Sequence, residues 1–127
     1  AMREAELPVT AVPGPTALTT ALALSGWGDE GFVFAGFPPN KSAGRRRMLE
    51  GFKAEKRPVA FYESTHRIRK CLADIHELLE DRPLFVAREL TKKFETLVAG
   101  TAKEVDAFFE THSTKGEFVV VLGPSAK

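Results

Sequence analysis

One cysteine, Cys71, stands in a chain of 127 residues, so no internal disulfide can form. No run approaches the roughly 18 apolar residues that cross a bilayer, and the start, AMREAELPV, lacks the basic flank and apolar stretch of a signal peptide. The chain therefore reads as cytosolic. The three histidines, His66, His76 and His112, are far apart and have no Cys or His at metal-ligand spacing, which excludes a metal site. Charge of one sign is also scarce: the formal net charge is +1, so a nucleic-acid partner has to be met by locally clustered charge. There is no P-loop lysine, no dinucleotide fingerprint, no internal repeat and no low-complexity linker. Ser64 and His66 lack an orienting third group and an elbow motif, which excludes a triad hydrolase.

What is present is an ordinary soluble composition, 43% hydrophobic and 28% charged, at a length that supports one domain. Short apolar runs alternate with helical periodicity. PVTAV at 8–12 predicts a strand, the VPGPTAL turn follows, and apolar spacing then predicts a helix up to Gly26. GFVFAGF at 31–37 predicts the next strand and Ser42 to about Lys56 a helix. PVAFYE at 58–63 predicts a strand, and the stripe Ile68, Cys71, Leu72, Ile75, Leu78, Leu79 a helix from Thr65 to Leu79. Strands at 84–89 and 94–100 are close enough for a hairpin. A Thr-capped helix from Thr101 and a buried strand at 116–122 close the chain. The pattern predicts an α/β single domain, a mixed sheet of about five strands flanked by helices.

Polar residues concentrate at strand ends, where open α/β sheets receive ligands. The AFYESTHRIRK junction holds Tyr62, Glu63, Ser64, His66 and Arg67; a plainer reading has Thr65 capping a helix while Glu63 and Arg67 are solvated or paired with each other. ARELTKK presents Arg88, Glu89, Thr91 and Lys92, alternatively a charged hairpin turn. The VPGPTAL turn could offer free helix N–H groups to a ligand or be a tight turn alone. From 41 to 57 the chain is one-signed, with Lys41, Arg45, Arg46, Arg47, Lys53, Lys56 and Arg57 against Glu50 and Glu55. Such a segment is either a solvated face or a phosphate contact.

In order and spacing, VPGPTALTTALALSG, FAGFPPNKSAGRRR, FYESTHRI, ARELTKKFET and KGEFVVVL resemble the second half of the ribosomal-RNA small-subunit methyltransferase I family. These are 2'-O-ribose methyltransferases of the tetrapyrrole methylase superfamily. The resemblance runs from about Pro8 to Leu122. It implies residues 1–127 as the C-terminal domain of a two-domain, usually homodimeric enzyme that holds S-adenosylmethionine between its halves. The glycine-rich N-terminal half is absent, and Ala1 before Met2 suits a piece of a longer protein. By motif, Pro13, Gly14, Thr16, Ala17, Tyr62, Glu63, Leu90 and Thr91 border the cofactor. Side-chain chemistry nominates Glu63, His66 and Glu89 as catalytic acid–base groups, and Lys41, Arg45, Arg46, Arg47, Arg67, Arg88 and Lys92 as contacts to small-subunit ribosomal RNA. Two other readings remain: a methyltransferase of tetrapyrrole (uroporphyrinogen or corrin) precursors, and a non-catalytic RNA-binding or dimerisation module.

Overall fold

The computed structural model describes residues 21–27, 31–88 and 95–124. The expected strand at 8–12, the VPGPTAL turn and the 89–93 junction lie outside them, and with these Pro13, Gly14, Thr16, Ala17, Glu89, Leu90, Thr91 and Lys92. The elements in chain order are α1 (residues 21–25), β1 (Val33–Phe34), α2 (Ser42–Gly51), β2 (Val59–Ser64), α3 (Ile68–Leu79), β3 (Leu84–Arg88), β4 (Thr96–Gly100), α4 (Ala102–Phe109) and β5 (Glu117–Leu122).

The strands form one mixed sheet in the order β1-β2-β5-β3-β4. β1 runs parallel to β2, and every other neighbouring pair is antiparallel, including the β3–β4 hairpin. Alternation along each strand divides the side chains between two faces. Val59 and Phe61 of β2, Leu84 and Val86 of β3, and Phe118, Val120 and Leu122 of β5 point to one face, where the α3 stripe Ile68, Cys71, Leu72, Ile75 and Leu79 packs on them. Each such large side chain taken fully from water contributes about 1.5–3 kcal/mol. The opposite face carries Ala60, Phe85, Ala87, Val119 and Val121, covered by Ala21, Leu22 and Trp27. α4 begins with a capping box in which Thr101 and Glu104 satisfy each other's backbone N–H.

Three boundaries differ from the sequence expectation, each for a local reason. β1 is only Val33–Phe34, because Gly31 and Gly36 on either side have positive φ and, among the described residues, the strand is paired on one side alone. α2 stops at Gly51 instead of Lys56: the buried guanidinium of Arg82 donates to the carbonyls of Phe52 and Glu55 and holds the chain in a turn there. α3 starts at Ile68, and Thr65 does not cap it. The Thr65 hydroxyl instead donates to the Gly116 carbonyl and accepts the Gly116 N–H, both at 2.9 Å, tying the end of β2 to the entry of β5.

Candidate functional site

β2 and β3 run in the same direction on either side of β5, so both polar strand ends fall on one rim of the sheet. Glu63, Phe118, Arg88 and Thr96 stand opposite one another in a single transverse row. Arg88 donates to the Lys115 carbonyl at 2.7 Å and to the Thr96 hydroxyl at 3.1 Å, which braces the β3 end against the loop entering β5. At the β2 end, Glu63 is 2% exposed, and its Oε1 accepts the Ser64 N–H at 2.9 Å and Arg67 Nε at 3.3 Å. Its Oε2 and the Ser64 hydroxyl are buried with no hydrogen-bond partner among the described residues. Beneath it the Cys71 thiol is pushed up from its ordinary pKa, first by burial and then by the Glu63 charge. His66 is exposed on the turn between β2 and α3.

Tyr62 and Glu63, adjacent in sequence, face opposite ways. Glu63 lies on the α3 side with Phe61. Tyr62 lies on the α1 side, its ring centroid 5.3 Å from that of Phe34 and 5.4 Å from that of Phe37. Phe34 and Phe37 are 46% and 65% exposed, so the trio is an aromatic ledge open to solvent. Burial, followed by the charge of Glu117, raises the Tyr62 pKa and keeps the phenol neutral. The two residues assigned together to the cofactor by motif therefore lie on opposite faces of the sheet.

The basic run divides in the same way. Arg45 is 3% exposed, its Nε on Asp74 at 2.8 Å. Arg46 pairs with Asp74 at 2.7 Å and also with Glu77, so both guanidinium groups join α2 to α3. The carboxylates of Glu77 and Asp74 hold Arg46 above its ordinary pKa. The three arginines of the run therefore have different surroundings. Arg45 is buried against Asp74 and Arg46 is largely spent on α3, whereas Lys41, Arg47, Lys53, Lys56 and Arg57 are exposed. No spacing rule in the sequence joins Arg45 to Asp74, 29 residues away.

The sequence profile of the tetrapyrrole (corrin/porphyrin) methylases matches residues 1–106. The chain belongs to that family. Curated relatives of this chain include the ribosomal RNA small subunit methyltransferase I of Thermotoga maritima, 43% identical over 114 residues, covering 90% of this chain and 51% of the relative. The protein of the same name from Erythrobacter litoralis is 43% identical over 122 residues, 96% of this chain and 43% of the relative. The chain spans about half the length of the curated relatives it matches. Among solved structures, the cobalamin biosynthetic enzyme cobalt precorrin-4 methyltransferase superposes with a TM-score of 0.62 at 17% identity, over 84% of this chain and 48% of that one. The methyltransferase CobJ gives 0.59 at 18%, over 85% and 47%. These two likenesses establish the methylase fold.

Within this chain, Tyr62, Glu63, His66, Arg67 and Arg88 are brought to one rim by the sheet, on two different faces. Sequence reasoning misses Phe34 and Phe37, whose aromatic character signals only strand propensity there, and Asp74, hidden in the α3 stripe. Among the described residues, no group of His, Cys, Asp and Glu could hold a metal ion, and no helix is long and apolar enough to cross a membrane.

Proposed function

We propose that this chain is the C-terminal half of an S-adenosylmethionine-dependent methyltransferase that modifies a ribose 2'-hydroxyl of small-subunit ribosomal RNA, and that it acts in the cytoplasm as a homodimer. The observation that carries this reading is the 43% identity to ribosomal RNA small subunit methyltransferase I over nine-tenths of the chain. Bound S-adenosylmethionine supplies a methyl group already activated on a sulfonium. The exposed ledge of Tyr62, Phe34 and Phe37 suits the flat adenine of that cofactor, because aromatic faces stack on purine rings. The 89–93 junction and the 12–18 turn complete the pocket in this reading.

The chain's own task is positioning and proton handling. In-line attack of the ribose oxygen on the methyl group needs both reactants fixed, and the hydroxyl proton has to leave. His66, exposed on the rim turn, is better placed to take it than Glu63, whose carboxylate is buried and already binds the Ser64 N–H and Arg67. Glu63 then acts as a positioning residue that aims Arg67 along the rim, while Lys41, Arg47 and Arg67 meet phosphates.

The test is to supply the full-length protein with labelled S-adenosylmethionine and two acceptors, unmodified small-subunit ribosomal RNA and a mixture of uroporphyrinogen and corrin precursors. Label in the RNA alone is expected. Label in the tetrapyrroles alone replaces this reading with that of a tetrapyrrole methyltransferase, and label in neither leaves a non-catalytic binding module.

A further inference from the structure

Between the first turn of α2 and the first two turns of α3 lies a cleft of about 400 Å³, lined by Asn40, Ser42, Arg45, Arg67, Lys70 and Asp74. This lies within the ~300–1,000 Å³ typical of ligand pockets. Its chemistry is cationic. α2 has no side-chain cap at Lys41 and no acidic residue in its first turn. Its first helical hydrogen bond runs from the Arg45 N–H to the Lys41 carbonyl, so the amides of Ser42, Ala43 and Gly44 have no acceptor within the helix. Arg45 is the second, independent sign of a ligand. Its side chain is 4% exposed and its Nε is on Asp74; the two terminal nitrogens make no hydrogen bond among the described residues and are not among the fully buried atoms left without a partner, so they open onto the cleft. Lys70 forms no ion pair among the described residues, and the single acid of the lining, Asp74, is already shared by Arg45 and Arg46.

We propose that this cleft is a subsite for one phosphodiester group of the RNA strand, bound by Lys70, the terminal nitrogens of Arg45 and the uncapped amides of α2. The proposal rests on the RNA reading of the function. Arg67 lines the cleft and also reaches Glu63 at the rim, so a strand whose phosphate occupies the cleft passes over Arg67 toward the reacting end of the sheet. A phosphodiester, with several acceptor oxygens around one charge, matches donors that converge from two helices.

Two substitutions in the full-length protein probe separate donors. Lys70→Gln removes a charge. Ser42→Pro removes one amide at a helix position that tolerates proline, and Lys41 before it already has the extended backbone, φ −80° and ψ 142°, that proline requires of its predecessor. Lys103→Gln on α4 is the control for a general loss of charge. Binding is measured on an unmodified small-subunit ribosomal RNA transcript as a function of salt. Lys70→Gln is expected to weaken affinity about 3- to 10-fold and to reduce the slope of log affinity against log salt by about 0.7. Ser42→Pro should weaken affinity similarly, with S-adenosylmethionine affinity and circular dichroism unchanged in both and Lys103→Gln close to the parent. RNA binding by the parent that neither cleft variant alters overturns the subsite and leaves the function standing. A parent protein that binds no RNA overturns the functional reading itself. Inorganic phosphate titrated into the isotope-labelled protein then tests the cleft separately, since unmoved amides at Ser42 to Gly44 overturn it as an anion site.

Discussion

Asp74 holds two guanidinium groups with one buried carboxylate, and this makes it the most consequential single polar residue of the α2–α3 contact. Removing one member of a buried pair leaves the other charged and unpartnered, so Asp74→Ala should cost about 3–5 kcal/mol, read by urea denaturation; a loss below about 1 kcal/mol would show that Arg45 finds water instead. Cys71 is the second residue with a definite expectation. Burial raises its thiol pKa, so the native protein should resist a thiol-specific reagent at neutral pH and react promptly once unfolded. The sign for stability follows from the same shift. An unfolded thiol ionises near pH ~8.5 while the folded one stays protonated, so this contribution is complete below that pH. It is lost as pH rises, by up to about 1.4 kcal/mol per unit. A Cys71→Ala variant should lack that slope. Tyr62 tests the aromatic ledge: in the full-length protein Tyr62→Ala should weaken S-adenosylmethionine binding about 2- to 10-fold, the value of one aromatic contact, while Tyr62→Phe retains it. Equal affinity in all three proteins would move the cofactor elsewhere.

At the scale of elements, two hydroxyls fix where helices meet strands. Thr101→Ala breaks the capping box of α4 and should cost about 1 kcal/mol. Thr65→Val removes both hydrogen bonds to Gly116 and should cost about 1–2 kcal/mol. Thermal unfolding of the two variants checks both values. The α3 stripe, the β3–β4 hairpin and the Thr101 cap are legible in the sequence because each is local: a periodicity, a short connection, a side chain acting within one turn. The end of α2 is not, because Arg82, distant in sequence, closes it. The role of Thr65 is hidden for a similar reason, since its partner Gly116 is 51 residues away. Side chains at strand ends are legible as a polar cluster but not as two faces until the limits of β2 are known; a shift of one residue exchanges Tyr62 with Glu63.

For the whole molecule, the family and the mixed sheet follow from the chain itself, whereas catalysis in the proposed reading needs a second half. Its curated relatives are about twice as long, and we propose that a second half stands opposite this chain with the cofactor cleft between the two. The isolated chain should then transfer no methyl group and bind S-adenosylmethionine weakly or not at all, as isothermal titration would show. The most direct measurement of the central claim is made on unmodified small-subunit ribosomal RNA treated with S-adenosylmethionine and either the full-length protein or this chain alone, then hydrolysed in alkali. A methylated 2'-oxygen can no longer attack the adjacent phosphodiester. The account predicts one labelled, alkali-resistant dinucleotide with the full-length protein and none with the chain alone. Label that alkali releases as a mononucleotide would place the methyl group away from the ribose 2'-oxygen and contradict it.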